Sequence, residues 1–208
     1  MSSGRRLPVL SLALASGAVD AFTFLSLGEV FTANMTGNLV LLGVSAGHSR
    51  LSDAVGSLVA FVAFTCALAT VLRLTRTAAK GWSARTRLSL GAELALLAVL
   101  AVGWAAGAPR LPLIATAALA MGVQSAVTNR LHTFVGSTTF ITGALTSALA
   151  RHLTPGTGQP HVPELVAVLA ALALGAAATT VVLRVFPPVA PVIALLAVAL
   201  ALASSDRA

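Results

Sequence analysis

The sequence predicts an all-α fold: a polytopic membrane helix bundle of six spans plus two re-entrant half-helices, arranged as an inverted internal repeat. Hydrophobic residues make up 57% of the 208 residues and charged residues 9%, whereas a soluble domain carries roughly 25% charged residues. Apolar windows of about 19 residues recur along the chain, as a bilayer core of roughly 30 Å requires. Two similar polar motifs interrupt these windows, one in each half.

Six segments are apolar and long enough to cross a bilayer. They are Leu7–Leu27, Ala54–Leu72, Leu88–Ala108, Leu111–Asn129, Leu165–Leu183 and Phe186–Ser204. Two shorter apolar pieces, Gly37–Gly47 and Gly143–Ala150, reach less than about 20 Å at a rise of roughly 1.5 Å per residue. We therefore expect these two pieces to be re-entrant half-helices, which enter and leave the membrane on one side.

The first span begins like a secretory signal peptide, with Arg5 and Arg6 before an apolar run that reaches small residues at 15–17. The run continues beyond those small residues, and the same segment has a counterpart later in the chain. We therefore expect this helix to be retained.

The basic residues predict the orientation of the bundle. With six spans and both termini in the cytoplasm, 10 of the 13 basic residues lie inside, and the exceptions are Arg50, Arg110 and Arg184. This distribution obeys the positive-inside rule, whereas letting both short pieces span gives at best about 7 against 6. The charges therefore favour six spans with both termini cytoplasmic.

The two halves of the chain are similar in sequence. Ala13–Thr23 aligns with Ala118–Thr128 at a constant shift of 105, with six of eleven positions identical. With one residue inserted, Thr32–Leu39 (TANMTGNL) aligns with Thr138–Leu145 (TTFITGAL). We therefore divide a single transmembrane domain, 1–208, into repeat halves 7–108 and 111–204. Because three spans per half is an odd number, the second half is expected to enter the membrane upside down.

Several classes of function lack support in the sequence. A chain with 9% charged residues cannot form the basic face that nucleic acid needs. A lone cysteine, Cys66, and four histidines without ligand spacing predict no metal site. No nucleophile elbow, phosphate loop, dinucleotide fingerprint or HExxH motif occurs. We therefore expect no enzyme activity, no cofactor and no nucleic-acid partner, with the lipid bilayer as the main partner and oligomerisation left open.

Asp20 lies inside the first span, where a charged carboxylate costs a few kcal/mol and needs a partner or a proton. Arg130 and the amides of Asn34 and Asn38 are its candidate partners. It is either a proton or cation site, or a buried hydrogen-bond acceptor that supports the broken helix.

The TANMTGN segment at 32–38 predicts a helix start inside the membrane. Thr36 or Asn34 can cap the half-helix, and Gly37 permits close backbone approach. The free N–H groups of such a helix start attract an anionic solute group, although capping alone also explains the motif. The candidate solute- or ion-binding residues are Asp20, Thr32, Asn34, Thr36, Gly37, Asn38, Gln124, Arg130, Thr138, Thr142 and Gly143.

Three further polar residues receive a structural interpretation. Glu93 lies close to the cytoplasmic Arg85 and Arg87 and is expected to snorkel to water. Glu29, at the end of the first span, lines a vestibule or is solvated at the surface. Arg130 is expected to anchor its helix at the headgroups rather than to bind an anion.

The segments Gly17–Gly43 and Met121–Ala150 resemble the bacterial YoaK-like family of membrane proteins, also called DUF1275. The resemblance covers essentially the whole chain, and it implies a polytopic inner-membrane protein of bacteria. It adds weight to the positions Asp20, Asn34, Thr36, Gly37, Asn38, Gln124 and Thr142. Ser125 stands where the family pattern suggests an asparagine, and the family supplies no substrate.

The predicted function is that of a small secondary transporter or permease for a small polar or anionic solute, with Asp20 as the coupling carboxylate. Inverted repeats with broken helices are typical of such transporters. The alternative is a non-transporting membrane scaffold or assembly partner, in which the polar motifs hold helices together. The two interruptions, Thr32–Asn38 and Thr138–Gly143, are expected to meet beside Asp20.

Overall fold

The computed structural model describes residues 3–48, 51–78, 81–131 and 162–205, together with Gly143, Thr146 and Ala150. Within these residues the chain forms seven α-helices and one short 3₁₀ turn, and no strand. The helices are α1 (Ser3–Ser26), α2 (Met35–Gly47), α3 (Leu51–Thr75), α4 (Ala84–Ala105), α5 (Arg110–Arg130), α6 (Val162–Val185) and α7 (Val192–Ser204), and the 3₁₀ turn is Pro187–Val189. The predicted all-α fold is confirmed for this part of the chain.

Among the residues that the structure describes, six helical segments are long and apolar enough to cross a membrane, as the sequence predicts. They are Arg6–Ser26, Ala54–Thr75, Ala84–Ala105, Arg110–Arg130, Val162–Val185 and Pro187–Ser204. Large apolar side chains point outward along them, including Val62, Leu88 and Leu174, which suits contact with lipid. The remaining described helix, α2, has 13 residues and is too short to cross.

The helices α1 and α6 pack side by side through glycines. A Cβ on Gly17 would overlap the carbonyl oxygen of Leu172, and a Cβ on Gly175 would overlap that of Leu14. Small residues let helix backbones approach closely in lipid, where van der Waals contact drives association. Arg6 and Glu164 form an ion pair of 3.7 Å near the starts of the two helices, so α1 and α6 run parallel.

The helices α3 and α5 form a second close pair of the same kind. A Cβ on Gly122 would overlap the carbonyl oxygen of Phe64. The Arg130 guanidinium, at the end of α5, donates to the hydroxyl and the carbonyl of Thr75, at the end of α3. These two helices therefore also run parallel, and α5 packs further against α4 while α1 packs against α7.

Two sets of contacts mark the two ends of the bundle. At the Arg110 end, the Arg110 guanidinium donates to the carbonyl oxygens of Leu27 and Gly28. At the Arg130 end, Arg130 holds Thr75 in the way just described. We call these two sides of the bundle the Arg110 end and the Arg130 end.

Candidate functional site

The chain leaves α1 through a tight reversal at the Arg110 end. The N–H of Glu29 donates to the carbonyl of Phe24 at 3.0 Å, and both Gly28 (φ 84°) and Glu29 (φ 59°) adopt left-handed backbone conformations. This conformation is uncommon for a residue with a side chain. The two residues turn the chain back along α1, and the following segment descends to the level of Asp20.

The carboxylate of Asp20 binds this returning segment. Its Oδ1 accepts hydrogen bonds from the backbone N–H groups of Thr32 and Ala33, each at 2.7 Å. The Thr32 hydroxyl donates to the same oxygen at 3.3 Å. Hydrogen bonds to an ionised acceptor are about twice as strong as neutral ones, so Asp20 anchors the irregular backbone between α1 and α2.

Two asparagines complete the start of α2. Asn38 bonds both backbone groups of Phe31: its Oδ1 accepts from the N–H at 2.9 Å and its Nδ2 donates to the carbonyl. Asn34 caps the helix by accepting from the N–H of Gly37 at 3.2 Å. A Cβ on Gly37 would lie 3.0 Å from the Asn34 amide nitrogen and from the Phe31 ring. All of these contacts join the irregular segment between α1 and α2 to the first turns of α2.

The structure therefore brings together five of the predicted site residues, namely Asp20, Thr32, Asn34, Gly37 and Asn38. Thr36 is exposed on the other side of α2. Arg130 and the side-chain amides of Asn34 and Asn38, the predicted partners of Asp20, bond elsewhere. The donors to Asp20 are backbone N–H groups, those of Thr32 and Ala33 with a contribution from Asn34. The sequence reveals the asparagines and the aspartate but does not specify backbone groups as partners.

Arg130 and Gln124 lie away from this cluster. Arg130 binds Thr75 at the end of α3, and its anchoring at the headgroups stays a prediction. The Gln124 amide nitrogen donates to the Leu12 carbonyl of α1 at 3.0 Å, and its Oε1 is buried without a partner among the described residues. Gln124 therefore joins α5 to α1 and leaves one acceptor unused.

The second interruption falls outside the described part of the chain. Thr138 and Thr142 are not among the described residues, and Gly143 is described only as an exposed helical residue. The predicted meeting of the two polar segments beside Asp20 therefore stays a prediction.

A small cavity of about 140 Å³ lies beside the turn at the Arg110 end. Its walls come from the end of α1, the second half of α2 and the start of α3, and the lining residues are Gly28, Glu29, Leu41, Val44, Ser45, His48 and Ser57. Glu29 lines this cavity and is exposed, so both roles left open for it stay predictions. Within the described residues no group of three metal-ligand side chains occurs.

Glu93 is the polar residue that the sequence interpretation misplaced. Its side chain is 0% exposed, and neither carboxylate oxygen has a hydrogen-bond partner among the described residues. The expectation that it snorkels to water is therefore wrong. The signal was present in the sequence, because Thr86, Leu90, Leu97 and Leu100 share its helix face at spacings of three, four and seven residues and are all buried.

Comparison with known proteins supports the conclusion that this chain is a membrane protein. A family model described as "Protein of unknown function (DUF1275)" matches residues 9–204. The chain belongs to this family. It is 36% identical over 141 residues to the UPF0700 transmembrane protein YoaK of Bacillus subtilis (strain 168). That alignment covers 66% of this chain, and the chain spans 63% of the length of this relative. No solved structure matches the chain.

The family membership and the six apolar helices together make this chain an integral, multi-pass membrane protein of a family of unknown function. Contact with the lipid bilayer follows directly. The resemblance inferred from the sequence motifs is confirmed.

Proposed function

We propose that this protein is a small secondary transporter for a small polar solute, built from two inverted halves in the bacterial inner membrane with both termini in the cytoplasm. The observation that supports this most is the position of α2, whose irregular start lies at the level of Asp20 within the span of α1. Irregular backbone at membrane depth is tolerated only where it is buried in protein or lines a cavity.

The contacts of α2 favour a re-entrant path. Its first turn is tied to Asp20 and Phe31, and its last turn lines the small cavity together with Gly28 and Glu29 at the Arg110 end. At roughly 1.5 Å per residue, its 13 residues cover about 20 Å, against a bilayer core of roughly 30 Å. A helix that starts at the depth of Asp20 and ends at the Arg110 end, where α1 also ends, leaves the membrane on the side from which the segment after α1 entered it.

The packing pattern favours an internal repeat. Under the shift of 105, Gly17 corresponds to Gly122, and each of them meets a backbone carbonyl of the second described long helix of the other half, Leu172 in α6 and Phe64 in α3. Thr23 bonds the carbonyls of Val19 and Asp20, and Thr128 bonds those of Gln124 and Ser125 in the same way. Together with an odd number of spans per half, this supports two inverted halves within one domain.

The contacts of Asp20 narrow the class of solute. An anionic solute was expected at the start of α2, because helix N-termini offer free N–H groups. The N–H groups of Thr32, Ala33 and Gly37 are already bonded to side-chain oxygens of Asp20 and Asn34. The chain therefore supplies its own anion there, and we propose a neutral or cationic polar solute instead.

A transport assay tests this proposal. Proteoliposomes containing the full chain are incubated with a pool of small polar solutes, and the trapped contents are compared by mass spectrometry with those of protein-free liposomes. We expect selective uptake of at least one solute by the wild-type protein. No enrichment across neutral, cationic and anionic pools would contradict transport, and selective uptake of anions would contradict the solute class.

Cysteine labelling tests the re-entrant path separately. Single cysteines are introduced in a Cys66→Ser background and labelled with a maleimide reagent that cannot cross the membrane. Val44→Cys on α2 and Leu25→Cys near the end of α1, both exposed, should react when the reagent is added on the same side of the membrane. Leu74→Cys at the Arg130 end, also exposed, is the matched control and should react from the opposite side. Reaction of Val44→Cys together with Leu74→Cys would show that α2 crosses.

The alternative is a non-transporting membrane scaffold, and one observation favours it. The polar side chains of the interruption, Asp20, Asn34 and Asn38, spend their hydrogen bonds on the protein backbone. If Asp20→Asn and Asn34→Ala both lower thermal stability strongly and no solute of the pool raises it, the scaffold becomes the better account, because any ligand of the folded state must stabilise it.

A further inference from the structure

Glu93 lies in the middle of its span. It is preceded in α4 by Arg85 and Arg87 near the helix start at Ala84, and the helix continues to Ala105. At roughly 1.5 Å per residue, Glu93 lies about 9 Å beyond Arg87 along the helix axis. A glutamate side chain does not reach back across that distance, so the carboxyl group stays within the bundle.

The surroundings of Glu93 are apolar. On its own face of α4 it lies between Leu90 and Leu97, both 0% exposed. The described parts of α7 and of the 3₁₀ turn, which pack against α4, contain no charged residue. Val198, 0% exposed, is among the buried residues of α7.

The arginines of α4 and of the helices that pack against it lie at the ends of the bundle. Arg110 binds the carbonyls of Leu27 and Gly28, and Arg130 binds Thr75. Arg85 donates to the Leu74 carbonyl and to Thr77, and Arg87 donates to the Ser205 carbonyl at 3.5 Å. Arg73, at the end of α3, is exposed. None of these groups forms an ion pair with Glu93 within the described residues.

The antiparallel register of α4 and α5 places Gln124 at the depth of Glu93. A Cβ on Gly103 would contact the Leu113 side chain at 3.1 Å, so these two positions are level. Counting ten residues back along α4 and ten forward along α5 gives Glu93 and Val123, the neighbour of Gln124. The unused Oε1 of Gln124 is thus an acceptor at the same level of the bundle.

An ionised carboxylate in such a place is strongly unfavourable. Burial of an isolated charge without a partner is so costly that the group takes up a proton instead, and intramembrane carboxylates without a structural partner typically belong to ion or proton pathways. A neutral carboxyl group offers one O–H donor, and in this structure the carboxyl group of Glu93 and the amide oxygen of Gln124 do not hydrogen-bond to each other.

We propose that Glu93 is a proton-binding site at the centre of the bundle, occupied by a proton in this conformation. This proton site does not depend on transport. We propose in a second step, which rests on the transport function proposed above, that Glu93 and not Asp20 carries the coupling proton. Asp20 is held by donors that favour its charged form, so it serves as an anchor. Glu93 has no donor to hold its charge, so it releases its proton only when the bundle opens it to water.

Infrared spectroscopy of the full chain in lipid tests the first step without any solute. The carbonyl stretch of a protonated carboxyl group should be present at neutral pH and lost in Glu93→Gln, while Asp20→Asn keeps it. Absence of the band, or its loss in Asp20→Asn with retention in Glu93→Gln, would overturn the proposal. If Glu93→Gln does not fold, Glu93→Asp should shift the band without removing it.

Modification by dicyclohexylcarbodiimide provides a measurement on the wild-type chain alone. The carboxyl O–H adds across one C=N bond, with the proton going to nitrogen, and the O-acylisourea rearranges to a stable N-acylurea. Mass spectrometry should locate the adduct on Glu93 and not on Asp20. An adduct on Asp20 with Glu93 unmodified would overturn the proton site.

The coupling step is tested with a solute identified by the transport assay. Glu93→Gln should lose accumulation driven by a pH gradient and keep solute exchange at equal pH. Accumulation at the wild-type level would overturn the coupling role. Since the infrared band needs no solute, the proton site can stand while transport fails, and transport can stand while the proton site fails.

Discussion

Two carboxylates within the membrane spans of this protein have opposite surroundings. Asp20, in α1, accepts three hydrogen bonds from Thr32 and Ala33 at one oxygen. Glu93, in α4, is fully buried and has no partner among the described residues. Both would be called candidate functional residues from their depth alone. The difference shows that the available donors, and not depth, determine what a buried carboxylate does.

The donors at Asp20 exist because the helix is broken there. Residues between α1 and α2 have backbone N–H groups with no helical carbonyl to accept them, and in lipid such groups need another acceptor. Along α4 every backbone group near Glu93 is used inside the helix. A carboxylate beside a break therefore becomes structural, whereas one on an intact apolar helix face keeps its proton.

The largest effect is expected for Asp20→Ala, which removes the acceptor of the N–H groups of Thr32 and Ala33. Each buried donor left unsatisfied costs about 1–3 kcal/mol, so unfolding in mixed micelles should become easier by about 3 kcal/mol. Helix content against detergent composition, followed by circular dichroism, measures this. A change below about 1 kcal/mol would mean that Asp20 does not anchor the break.

A smaller loss is expected for Asn38→Ala, which frees both backbone groups of Phe31. Two neutral hydrogen bonds contribute about 1–3 kcal/mol together, measured by the same unfolding assay. Leu39→Ala, at the exposed neighbouring position, is the matched control and should change stability less. Equal losses of stability in Asn38→Ala and Leu39→Ala would mean that any truncation in α2 destabilises the protein, and that the hydrogen bonds of Asn38 are not the cause.

Asp20→Asn should cost less than Asp20→Ala, because the amide keeps one acceptor oxygen in place. Neutral hydrogen bonds have about half the strength of charge-assisted ones, so we expect a loss of about 1–2 kcal/mol in the unfolding assay. A loss as large as that of Asp20→Ala would indicate that the negative charge, and not the hydrogen bonds, holds the break.

The smallest effect on stability is expected for Glu93→Gln. Because Glu93 forms no ion pair, its replacement leaves no partner charge buried without a counter-ion. The free energy of unfolding should therefore change by no more than about 1 kcal/mol in either direction. The comparison with Asp20→Asn, a change of the same chemical kind, is read from melting curves recorded side by side. A larger loss for Glu93→Gln would reveal a partner for Glu93 and remove its contrast with Asp20.

Particular residues show how far sequence reasoning extends. The start of α2 was predictable, because Asn34 and Gly37 have the types and spacing of a helix cap, and the structure gives Asn34 that role. The partners of Asp20 were not predictable, since they are backbone groups twelve and thirteen residues away. Such contacts depend on the left-handed turn at Gly28 and Glu29, which a side-chain pattern does not encode.

The amino-acid sequence by itself determined the class of protein, the six apolar spans, the short helix after the break and the family. These properties follow from composition and from hydrophobic length, which act locally along the chain. The tertiary structure alone decided which carboxylate is satisfied, because hydrogen-bond partners are brought together by helix packing and chain reversal. Asp20 and Glu93 are chemically similar acids in similar apolar spans, and only their neighbours in space make one an anchor and leave the other without a partner.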